Sequence, residues 1–234
     1  MSRDLPDATV RYAAHDEAVI DLHLPPGEAV DLLFLVHGGF WKAEWDRRHT
    51  RPMARALADD GWVVATPEYR RVRGGGGWPV TGDDVRRALD EAPDLLAGLG
   101  ITYGETVVTG HSAGGHLALW LAATGAPIRR AVALAPVCDL REAIRLGLGD
   151  HATEALLGKV DLAVADPMTL LDARPACDVS IVHGTGDDVV PVSLSRGLVV
   201  RHPWVGLHEV PTGHFEVIEP GSAAWPTVVR TLRA

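Results

Sequence analysis

A serine, a pair of aspartates and a histidine stand at positions from which they could carry out acyl transfer. Ser112 lies in Gly110-His111-Ser112-Ala113-Gly114, a G-x-S-x-G pentapeptide between the apolar run Thr106–Thr109 and the amphipathic stretch Ala113–Thr124. A sharp turn from strand to helix would hold the hydroxyl above a sheet edge, and the helix would point its positive end at the site. A serine hydroxyl is a poor nucleophile at neutral pH, so it needs a base, and the base needs an acid to orient it. The chain order expected for such a site is serine, acid, histidine. Here Asp187 and Asp188 follow the apolar run Val179–Val182, and His214 follows Val205–Val210. Asp187 is the preferred acid and Asp188 its competitor. The chain holds 11 histidines, and the position of His214 beyond the last strand singles it out. His111, His116 and His183 read as structural. Glu216, near His214, reads as structural or solvated.

A further element would stabilise the charge that such an attack creates. The run Leu32–Val36 leads into His37-Gly38-Gly39-Phe40-Trp41. Glycines there let amide N–H groups face a reacting carbon, and losing one such donor typically costs about 10²–10³ in rate.

The elements that must position these residues alternate in kind. Short, apolar runs at Leu32–Val36, Trp62–Ala65, Thr106–Thr109, Ala131–Leu134, Val179–Val182 and Val205–Val210 read as parallel strands covered on both faces. Between and after them, Thr50–Asp59, Thr81–Leu96, Ala113–Thr124, Val192–Arg201 and Ala223–Leu232 read as helices, the second opened by a capping box at Thr81. The alternation predicts an open α/β sheet, mostly parallel, with helices on both faces. Ligands of such sheets sit at the carboxyl ends of the strands. A hairpin is expected over about residues 8–26, and a minimal cap of short helices over about 140–175.

With those motifs placed, the chain resembles the α/β-hydrolases. His37–Trp41 is similar to the HGGxW motif of the kynurenine formamidase group, related to the hormone-sensitive-lipase-like esterases. Gly110–Ala118, Glu68-Tyr69-Arg70-Arg71 and Gly213-His214-Phe215 resemble that group as well. The resemblance runs from about Leu32 to the end. It implies an oxyanion hole made by the N–H groups of Gly39, Phe40 and Ala113, with Ser112, Asp187 and His214 as the catalytic residues. Phe40 stands where tyrosine is frequent in the formamidases. The implied activity is hydrolysis of a small acyl ester or amide through an acyl-enzyme, with an N-formyl-kynurenine-type formamide as the specific substrate and a short-chain carboxylester as the alternative. A reading of another class is a non-catalytic small-molecule binding protein on the same fold.

Trp41, Trp45 and Trp78 are candidates for an aromatic wall beside a substrate, or for packing of loops, and Cys138 for an edge of the pocket. Trp41, Trp78 and Cys138 are the candidate substrate-binding positions. The 234 residues fit one domain, and 47% hydrophobic with 23% charged residues excludes global disorder. A net charge of −9 disfavours nucleic acid and anionic membranes as partners. No apolar run reaches a membrane span and the first residues are polar, so a cytoplasmic protein is expected. The two cysteines, Cys138 and Cys177, read as unpaired thiols. No cysteine–histidine cluster has zinc spacing, so neither metal nor cofactor is expected. A homodimer is compatible with the sequence.

Overall fold

A computed structural model describes residues 4–234. Eight strands, β1 (Ala8–Arg11), β2 (Val19–His23), β3 (Leu32–Val36), β4 (Val63–Pro67), β5 (Thr106–His111), β6 (Arg130–Leu134), β7 (Asp178–Gly184) and β8 (Gly206–Val210), form one sheet in the order β1-β2-β4-β3-β5-β6-β7-β8. β1 and β2 pair antiparallel, as do β2 and β4, and every later pair is parallel. This is the α/β-hydrolase fold. The helices are α1 (Arg51–Asp59), α2 (Val80–Gly98), α3 (Ala113–Ala123), α4 (Leu140–Leu146), α5 (Leu148–Leu157), α6 (Pro167–Leu170), α7 (Ser193–Arg201) and α8 (Trp225–Arg233).

The unbroken apolar character of β3 has a direct cause. Leu32, Phe34 and Val36 face one core with residues of α2 and α3, while Leu33 and Leu35 face a second core with residues of α1 and α8. Both faces are covered, so no position needs to be polar. The strand order also sets where a crevice can open. From β3 the chain first adds β4 on one side and then returns to add β5 on the other. The loops leaving β3 and β5 therefore diverge over a topological switch point. The register places Val36 of β3 opposite Gly110 of β5, so the glycine-rich loop and the serine turn leave the sheet side by side.

Several element ends differ from expectation. β5 continues to His111, because the serine turn grows directly out of the strand. α2 starts at Val80 without a side-chain cap. The Thr81 hydroxyl instead donates to Arg70 O at 2.7 Å and accepts from Gly77 N at 3.1 Å, which ties the Gly74–Gly77 loop down rather than capping the helix. Between β6 and β7, the segment with α4, α5 and α6 is short. Its distinctive feature is a left-handed stretch at the start of α5, where Gly149, Asp150 and His151 all have φ near +60° (60°, 58° and 58°). A side chain on Gly149 would collide with the ring of Phe40, so this glycine lets the segment touch the loop after β3.

Candidate active site

The serine turn is built by strain and close approach. Ser112 has φ 56° and ψ −116°, outside the regions favoured by residues with a side chain. Its N–H donates to Leu134 O at 2.8 Å, and its carbonyl accepts from His116 N at 3.1 Å and Val137 N at 3.2 Å. These bonds to neighbouring elements hold the conformation. Gly114 is required because a Cβ there would run into Val36 O of the adjacent strand. Ser112 is thereby fixed at the floor of a cleft of about 200 Å³, lined by Gly39, Phe40, Trp45, His49, His111, Val189, His214 and Phe215 as well as the serine itself.

Asp187 and His214 meet at the same rim. His214 Nδ1 donates to Asp187 Oδ2 at 2.7 Å. The other carboxylate oxygen, Oδ1, accepts the backbone N–H groups of Val189 and Val190 at 2.9 and 2.8 Å. The Asp187 side chain is sealed from solvent. Burial works against its ionisation, but hydrogen bonds from His183 and His214, the nearby His214 charge and the backbone N–H groups outweigh it and hold the carboxyl well below the usual carboxylate range. Asp188, the competitor, is exposed, and the carboxylate that His214 meets is that of Asp187. His111 is also part of the site: its Nε2 donates to the His214 carbonyl at 2.9 Å. Burial, with His214 close by, pushes the His111 imidazole well below its ordinary value, which keeps it neutral.

The N–H groups of Gly39, Phe40 and Ala113 have no acceptor among the described residues. Gly39 (φ 105°), Phe40 (φ 50°) and Trp41 (φ 55°) form a left-handed run that shapes this loop. The loop is anchored from below. His37 Nε2 lies 2.7 Å from Glu68 Oε1, and its Nδ1 lies 2.9 Å from Gly38 O. Tyr69 stacks on His37 at 4.3 Å and its hydroxyl donates to His37 O at 2.9 Å. Burial raises the Glu68 carboxyl, but His37, Arg71 and the Arg47 N–H bring it down to about 2. A second buried carboxylate, Asp21 on β2, takes Arg47 at 3.0 Å and Arg51 at 2.8 Å. Together these groups lash the loop before α1 to the antiparallel edge of the sheet.

Three candidate substrate-binding residues lie elsewhere. Trp41 is fully buried and packs edge-on against His116 at 5.1 Å. Trp78 is buried against Trp120, ring to ring at 5.1 Å. Cys138 is buried 3.8 Å from Ser195 Oγ, and burial pushes its thiol up to about 12. None lines the cleft. The two indoles are worth more to the core than to an open surface, and Trp41 acts as the root of the glycine-rich loop. Of the three tryptophans, only Trp45 faces the cleft, at 49% exposure. Sequence reading did not single out His49 or Val189, and it took His111 for purely structural. The signal was available for His49 and Val189, since both follow the carboxyl end of a strand already assigned to the rim.

His116, buried and brought down to about 4 by that burial, bonds Ala165 O at 2.9 Å and so ties α3 to the segment before β7. His183 Nδ1 is 2.7 Å from Ser195 Oγ, and His183 Nε2 is 3.2 Å from Asp187 Oδ2. This second serine–histidine–aspartate string is closed to substrate, because Ser195 and His183 are fully buried.

Comparison with known proteins agrees with this architecture. The BD-FAE family matches residues 20–134. The probable carboxylic ester hydrolase LipM of Mycobacterium tuberculosis is 30% identical over 190 residues, covering 72% of this chain and 44% of that protein. The chain thus spans less than half the length of this relative. Among solved structures, a truncated carbohydrate esterase from gut microbiota superposes with a TM-score of 0.83 at 19% identity, covering 98% of this chain and 97% of that one. A putative thioesterase from Silicibacter sp. TM1040 reaches 0.76 at 27% identity, covering 99% and 88%. The chain has the α/β-hydrolase fold and is similar to esterases that share it. No helix among the described residues is long and apolar enough to cross a membrane.

Proposed function

We propose that the protein is a serine carboxylesterase acting on small, short-chain acyl esters. The observation that carries this reading is the 2.7 Å bond from His214 to the sealed Asp187 carboxylate, beside a cleft that Ser112 and His214 both line. In the proposed reaction, His214 Nε2 takes the Ser112 proton as the serine oxygen attacks the ester carbonyl. Asp187 holds the Nδ1–H tautomer and stabilises the imidazolium that forms. The free N–H groups of Gly39, Phe40 and Ala113 receive the oxyanion. The alcohol leaves with the proton from His214, and water, activated by the same base, releases the acid.

Substrate size follows from the cleft. About 200 Å³ is below the usual range of about 300–1,000 Å³ for drug-sized ligands. Apart from the imidazoles and the serine, its walls are the Phe40, Trp45, Val189 and Phe215 side chains. A short acyl group with an apolar alcohol suits such walls. The esterase relatives favour an ester over a formamide, and phenylalanine at position 40 offers no hydroxyl to a polar substrate. Rates on a series of p-nitrophenyl esters of increasing acyl length, beside N-formyl-kynurenine, test the reading. Fast turnover is expected for acyl chains of about two to four carbons. Faster cleavage of the formamide than of every ester would replace the ester reading. Failure of a fluorophosphonate to label Ser112 would favour the binding-protein alternative.

A further inference from the structure

Asp187 Oδ2 is shared by two imidazoles. His214 approaches it at 2.7 Å and His183 at 3.2 Å. His183 is itself held on both sides. Its Nε2 is 2.9 Å from Val190 O, and its Nδ1 is 2.7 Å from the hydroxyl of Ser195 on α7. Every member of this string lies behind the cleft, with the side chains of His183 and Asp187 and the whole of Ser195 removed from solvent.

Donor counting places one proton. His183 Nε2 faces two acceptors, Val190 O and Asp187 Oδ2, so it must carry hydrogen. In a neutral ring Nδ1 is then an acceptor, and the Ser195 hydroxyl is the polar group within reach to donate to it. A buried acceptor left without a partner is destabilising. If Ser195 were absent, the buried ring could satisfy Nδ1 by rotating away or by taking up a second proton. A cationic His183 would compete with His214 for the one negative charge that both of them face.

We propose that Ser195 is a positioning residue for the reaction. By donating to His183 Nδ1, it keeps His183 neutral with hydrogen on Nε2, and so reserves the charge of Asp187 for His214. The proposal rests on the triad reading above. It also assigns a task to the His-Gly-x-x-Asp stretch (His183–Asp187) and to a serine on the following helix, both outside the cleft.

The protonation state of His183 is measured directly on the wild-type protein by ¹⁵N-histidine NMR, with resonances assigned through His183→Gln. A neutral ring with hydrogen on Nε2 is expected across neutral pH, whereas a cation or the opposite tautomer overturns the proposal. This arm needs no turnover, so it stands apart from any failure of the ester reading. In the second arm, Ser195→Ala is expected to lower kcat about tenfold with KM on p-nitrophenyl acetate unchanged, and to abolish the neutral Nε2–H signature of His183. Ser195→Thr, which keeps the hydroxyl, is expected to restore both. Wild-type kcat in Ser195→Ala, or a fall in kcat with the His183 signature intact, overturns it. Should the alanine variant not fold, the wild-type spectrum decides alone.

Discussion

His111 reaches across the cleft floor to His214: its Nε2–H meets the main-chain carbonyl of His214 at 2.9 Å, and the two rings stand 4.5 Å apart. The residue beside Ser112 thus holds the loop that carries His214. His111→Ala should reduce kcat about tenfold, the equivalent of one lost hydrogen bond, and slow fluorophosphonate labelling of Ser112 in proportion. Unchanged labelling would show that the His214 loop holds its place unaided.

Ser112 occupies a backbone conformation that a side chain resists, and such strain costs on the order of 1–3 kcal/mol. Ser112→Ala should abolish turnover and retain the fold. Ser112→Gly should also be inactive, yet more stable by roughly 1 kcal/mol, which raises Tm by about 2–4 °C in a chain of this size. A glycine variant that melts below wild type would contradict the strain.

The two neighbouring aspartates should separate cleanly. Asp187→Asn leaves His214 without its charged partner and is expected to cut kcat about 10⁴-fold. Asp188→Asn alters an exposed group and should stay within about twofold of wild type. Equal losses in both variants would mean that the acid role is divided.

Trp41 and Trp45, four positions apart, should respond to truncation in opposite ways. Trp41→Ala removes a fully buried indole and should destabilise by about 3–5 kcal/mol. Trp45→Ala leaves stability within about 0.5 kcal/mol and raises KM for aromatic esters. Thermal melts beside steady-state kinetics would distinguish the two.

Glu68 ties stability to acid pH. Its carboxyl titrates near 2 in the fold against 4.5 for the free group. The unfolded chain therefore binds the proton first as pH falls. The contribution is complete above about pH 4.5 and is lost as pH drops toward about 2; it amounts to roughly 3 kcal/mol. Glu68→Gln should lower stability at pH 7 and flatten this acid limb in chemical denaturation. An acid limb as steep as that of wild type would place the titration elsewhere.

The core strands were legible because a parallel sheet covered on both faces leaves unmistakable apolar runs, as at Leu32–Val36. The serine turn was legible because its glycines answer to backbone collisions rather than to distant side chains. Whether a tryptophan faces a core or a cleft depends on elements far away in the chain, which is why Trp41 and Trp78 misled. The Asp21 link to Arg47 and Arg51 left no trace for the same reason, since nothing in Val19–His23 announces its two cationic partners. Thr81 matched a capping pattern, but its hydroxyl found stronger bonds in the adjacent loop.

β8 is the last strand of the sheet and pairs on one side only, with β7. The imidazole of His214, the base of the proposed reaction, hangs from the loop just beyond it. Local opening of peripheral elements can cost a fraction of the free energy needed to melt the whole domain. Under mild denaturant the hydrolytic output should therefore fade while the helical circular dichroism is still intact. During synthesis from the N-terminus, Ser112 emerges long before His214, so on the proposed mechanism the nascent chain should gain activity only once β8 docks.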